Sequence, residues 1–142
     1  MRHALAVLVM ALSALPLYAG EAGTIVAALP DEASECRYLT QLCEETRAAE
    51  KAADEANDKK KAVEKRAPKP YSGDDLARLM TATQALTRYL DALAPATGRA
   101  NKATYAYRRA RTELQEATKV VLAKHEQAPS CICWDVVGRE GR

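Results

Sequence analysis

Phenylalanine is missing from this 142-residue sequence, tryptophan occurs once, and aromatic residues make up only 5% of the whole. A core must therefore be built from Leu, Ala and Val. Such a core is thin, and it suits helices that approach one another closely. Charge of one sign is also lacking: 21 bases stand against 19 acids, for a formal net charge of +2. That balance argues against a nucleic-acid binder and against a strongly acidic partner. Histidine is nearly absent, with His3 and His125 the only two, so facial metal triads and histidine-based hydrolytic triads are hard to assemble.

The catalytic signatures are missing too. There is no glycine-rich phosphate loop, G-x-S-x-G, H-E-x-x-H or EF-hand pattern, no C-x-x-C redox pair or C-x-x-C-H haem attachment, and no N-x-S/T acceptor. Carboxylate pairs such as Glu50 and Asp54 lie one turn apart, but on a solvated helix they lack the concave site that glycoside cleavage needs. No cofactor or metal is expected, and the chain reads as non-enzymatic.

No apolar run is long enough to hold the chain in a bilayer. Ala4 to Leu15 is apolar apart from Ser13, and Pro16 and Gly20 cut it short of the ~20 residues a spanning helix needs. With Arg2 as its positive start and small residues at Ala19 and Ala22, this segment reads as a signal peptide over 1–19, cleaved after Ala19 or Ala22. A rival reading keeps it as an uncleaved anchor that presents a coiled coil in the envelope space. The segment holds one base and no acid, so its loss takes the net charge from +2 to +1. The address expected is secreted or periplasmic.

What is present is helical. Residues 20–30 show no periodicity and read as a lead-in to a single helical domain over 31–137, with 138–142 a loose tail. Asp31 and Glu32 set negative charge at the start of a first helix, along which Leu39, Leu42, Thr46, Ala49, Ala53, Ala56, Lys60 and Val63 step by three and four. Pro68 and Pro70 end it. Ser72 followed by Asp75 resembles a capping box for a second helix, whose Leu76, Leu79, Met80, Thr83, Leu86, Leu90 and Leu93 form the most apolar stripe of the chain. That helix is expected to stop at Ala94, because Pro95 follows. A third helix is then expected over 99–127, bearing Ala103, Tyr107, Ala110, Leu114, Ala117 and Val121 on one face. Beyond it, Cys131-Ile132-Cys133-Trp134 and Val136-Val137 favour extended chain. The fold class is all-α: a small bundle of two to three long amphipathic helices with a disulfide-tethered extended C-terminal tail.

Four cysteines, Cys36, Cys43, Cys131 and Cys133, remain after the signal, an even number that reads as a disulfide framework. Cys36 and Cys43 are seven apart on a helix, ~10.5 Å along its axis, too far to bond to each other. Cys131 and Cys133 share one face of an extended strand, ~6.6 Å apart. A tail laid along the first helix and stapled twice satisfies both spacings, and whether it runs parallel or antiparallel decides the pairing. In an up-down-up bundle, however, the third helix ends far from Cys36. The Lys-rich stretch 57–72 acting as a return linker, helices crossing at an angle, or bridges between two chains would each reconcile this. The competing chemistry is metal or ligand handling by Cys131, Cys133 and His125. C-x6-C with C-x-C is not the knuckle spacing of structural zinc, and His125 also fits a surface imidazole near a helix C-terminus.

Arg99, Lys102, Arg108, Arg109 and Arg111, interleaved with Tyr105 and Tyr107, form the one basic-aromatic cluster, a candidate polyanion patch or a solvated face pairing with the acids of the first helix. The expected role is that of an exported helical interaction or structural protein, with a protein partner. The Ala spacing of the first helix also fits a homodimer seam. No nucleic acid and no stable membrane span are expected.

Overall fold

A computed structural model describes residues 20–138; the expected signal segment 1–19 and the last four residues of the expected loose tail lie outside that range. The chain is all-α, with α1 at Glu21–Ala27, α2 at Glu32–Glu64, α3 at Leu76–Lys124 and α4 at Trp134–Val137. Two disulfides tether the C-terminal segment, so the tethered small bundle is as expected.

Helix α2 opens on Asp31, whose carboxylate accepts from the Ser34 amide at 2.7 Å. That hydrogen bond holds the Asp31 pKa below its usual range. All eight positions of its expected stripe, from Leu39 to Val63, are buried or half-buried. The stripe lies against α3, which runs back antiparallel. Glu35 meets Lys124, and Asn57 donates to Thr104 at 3.2 Å. This register sets Val63 level with Thr97.

Three expectations about the first three helices are corrected. Pro95 does not divide two helices, because α3 is one continuous helix of 49 residues with Pro95 inside it. A helix-interior proline costs ~3 kcal/mol and leaves one carbonyl unbonded. Here that carbonyl belongs to Asp91, which is exposed to water. Ala96 and Ala100, just beyond, are buried, with Ala96 beside Ala52 and Ala56 of α2, and this packing holds the helix in line across the proline. The cap of α3 is Asp75, not Ser72: its carboxylate accepts from the Ala77 and Arg78 amides at 2.9 and 3.3 Å. The lead-in is helical instead of irregular. Ala22, Gly23 and Val26 of α1 are buried, with Gly23 facing the backbone of Glu116 and the side chain of Val120.

The continuous α3 also removes the difficulty over the cysteines. With one hairpin in place of up-down-up, α3 ends beside the start of α2 and delivers the tail to its partners. Trp134 to Val137, expected to be extended, instead form one helical turn. Gly138, at a positive φ of 82°, closes it by donating to the Trp134 carbonyl, a conformation that glycine adopts without steric cost.

Candidate functional site

The hairpin has two unlike ends. At the first, α1, α2, the last turns of α3 and α4 enclose the main apolar core: Val26, Leu39, Leu42, Leu114, Val121 and Ile132. Cys36 bonds Cys131 and Cys43 bonds Cys133, so the tail runs parallel to α2. Ile132, between the two bridging cysteines, is buried. Arg47 holds Asp135 at 3.0 Å and lowers its pKa, and Gln115 donates to the Val137 carbonyl. Both contacts hold α4 against the hairpin.

Beside the first bridge lies a charged cluster that sequence reasoning missed. Glu35 is only 1% exposed. Its carboxylate accepts from Lys124 Nζ at 2.6 Å and meets His125 Nε2 at 2.7 Å. Hydrogen bonds from Lys124 first, and His125 second, hold its pKa below the usual value against the opposing effect of burial. Lys124 Nζ also donates to the carbonyls of Val26, Ala27 and Leu29 at 3.3–3.4 Å, at and just past the end of α1, where helix carbonyls lack amide donors of their own. His125 therefore serves Glu35. Cys131 and Cys133, its candidate co-ligands, are both committed to disulfides.

The basic cluster does not converge on one site. Arg99, Lys102, Tyr105 and Arg108 are exposed. Arg109 turns to Glu113 on its own helix at 3.2 Å, and Arg111 lies half-buried next to Gly138. Tyr107 donates to Glu50 of α2 at 3.4 Å. Among the described residues, Arg99, Lys102 and Arg108 form no ion pair with α2.

The second end is an arm. Because α2 finishes level with Thr97, residues 76–93 of α3 extend past it by ~27 Å. No residue of α3 before Ala96 is buried. The most apolar stripe of the sequence is thus the least covered: Leu76 is 69% exposed, Met80 57%, Leu90 50%, and Leu79 and Leu86 47%. The connection from α2 climbs alongside, where Pro68–Tyr71 line a shallow groove with Leu79, Thr83 and Leu86. It flanks the stripe without covering it. Among the described residues, no helix is long and apolar enough to cross a membrane.

No protein-family model matches the chain, and neither the curated proteins nor the solved structures searched contain a match. The function must be argued from the two ends of the hairpin.

Proposed function

We propose that this is an exported, non-enzymatic interaction protein, a rod clamped at one end by disulfides and holding out the arm as its binding surface. The observation that carries the reading is the leucine stripe of residues 76–93, about half exposed on a helix whose lower part is packed. Contiguous exposed apolar surface of this kind marks interaction sites in water-facing proteins.

Export rests on the two disulfides, which form and persist in oxidising compartments, together with the signal-like first 19 residues. The address is the periplasm or the exterior. Cleavage after Ala19 fits better than after Ala22, because Ala22 is a buried member of the core. Intact mass tests the export half: a chain beginning at Gly20 and lighter by four hydrogens is expected, and a full-length chain with four alkylatable thiols would refute it. A photo-crosslinking residue at Leu86, activated in the native compartment, tests the binding half. A defined protein adduct is expected, and the absence of any adduct rules out the arm as a binding surface.

A further inference from the structure

A cleft of about 290 Å³ opens at the clamped end, between the last turns of α3 and the single turn of α4. That turn sends its side chains three ways. Val136 goes into the core, and Asp135 goes to Arg47 of α2. Trp134 and Val137, three apart and so on one side of the turn, form one wall of the cleft, and Leu122, Gln115 and Lys119 of α3 form the other. The Trp134 wall is held at both ends. The Cys43–Cys133 bridge directly precedes it, and Gln115 donates to the Val137 carbonyl at 3.2 Å behind it. The contacts that clamp the tail thus also preorganise the cleft.

The polar groups around it are ones the fold leaves unused. Among the described residues, three buried side-chain groups have no hydrogen-bond partner: the Tyr38 hydroxyl, Arg111 Nε and the Thr118 hydroxyl. Buried polar groups are ordinarily paired, and each exception asks for an explanation. Two of these three belong to the cleft. Thr118, only 2% exposed, is at its floor, and Arg111 reaches its edge, with Nη2 3.5 Å from where a Cβ on Gly138 would stand. Thr46, Thr81, Thr83, Thr87 and Thr112 each use the usual outlet of a helical threonine, the carbonyl four residues back. The Thr118 hydroxyl does not. Charge points the same way. Lys119 stands exposed at the mouth, Arg111 adds a second cation, and none of the lining residues is acidic.

We infer that the cleft binds a small organic acid with an apolar body, its carboxylate on Lys119 and Thr118 and its body between Trp134, Leu122 and Val137. Volume sets the size. A cavity of ~150 Å³ holds a benzene ring, so about 290 Å³ takes a ring or branched chain together with a short acid arm. The Trp134 indole and the two aliphatic side chains supply apolar contact, and Lys119 supplies the charge. The Thr118 hydroxyl supplies a donor that a purely apolar ligand would leave unpaired. The site is at the opposite end of the rod from the arm, so it stands apart from the reading of the arm as a binding surface.

Trp134 is the one tryptophan of the chain, so its fluorescence reports on the cleft directly. Titration of the oxidised native protein with 3-phenylpropanoate is expected to give a saturable change with a dissociation constant of about 0.1–1 mM, the range open to so small a ligand. The neutral 3-phenylpropanamide is expected to bind about fivefold more weakly, since it forgoes the charge of Lys119. Lys119→Gln, at an exposed position, should weaken the acid about fivefold and leave the amide unchanged. Thr118→Val, which keeps the shape of the side chain, should weaken the acid about tenfold by removing the donor. An unliganded emission spectrum matching that of the native protein shows that each variant is folded. No saturable change up to about 20 mM, equal binding of acid and amide, or an acid affinity indifferent to either substitution overturns the site.

Discussion

Glu35 has the most demanding environment of any side chain in the clamped end. A buried carboxylate is tolerated because Lys124 and His125 meet it from the end of α3, and removing one partner of such a group is more costly than never having had it. Lys124→Met is expected to cost about 3 kcal/mol, read as a lowered midpoint in urea. The pH dependence follows from the direction of the Glu35 shift. Its folded pKa lies below the ordinary 4.5, so the unfolded chain takes up the proton first. The stabilisation is complete above that ordinary value and disappears as pH falls through the folded one. Glu35→Gln is expected to flatten this part of the acid limb, which urea titrations at several pH values would show. None of this was legible beforehand, because Glu35 reads locally as an ordinary acid in a first turn. Its burial depends on residues nearly ninety positions away. Gly98 is the opposite case: it sits inside α3 with nothing within 4 Å of where a Cβ would be. Gly98→Ala should raise stability by up to ~1 kcal/mol, detectable as a higher melting temperature.

Among the elements, α2 was fully legible, since a three-four stripe of small and apolar residues at Leu39 to Val63 has one reading and the fold uses it. Helix α3 was legible in two pieces and misread as two helices. The local rule against a helix-interior proline was outweighed by packing at Ala96 and Ala100, which no window around Pro95 reveals. Pro95→Ala is accordingly expected to stabilise the protein by about 1–3 kcal/mol by restoring a donor for the Asp91 carbonyl. A loss of stability would show that the proline is part of the packing. The arm and the packed half of α3 also differ in local stability. Amides of residues 80–92 should exchange with solvent faster than those of 110–122, because few buried contacts oppose opening there. Helix α1 was missed because seven residues give too few turns for a period to show.

For the whole molecule, the disulfides matter most. Their existence was legible from the count and spacing of cysteines; their pairing was not, since it depends on where α3 ends. The bridges span 95 and 90 residues and interleave, so whichever closes first shortens the loop left for the other. In the chain-entropy picture the first to close contributes ~4.6 kcal/mol, while the second closes a loop of only about ten residues and adds ~3. Replacing both members of either pair by Ala should therefore cost ~3 kcal/mol, and removing all four cysteines more than twice that. A four-cysteine variant that loses only the sum of the two single-pair losses would contradict this overlap.

The interleaved pairing also bears on how the chain matures. On the proposed export route, a chain crossing N-terminus first exposes Cys36 and Cys43 to oxidation before Cys131 and Cys133 follow, and for that interval each has only the other to oxidise with. A nascent α2 would keep their sulfurs two turns apart and deny them that wrong partner. Early helix formation in α2 would then act as a guard on thiol chemistry, holding two reactive groups open until the C-terminus arrives to claim them.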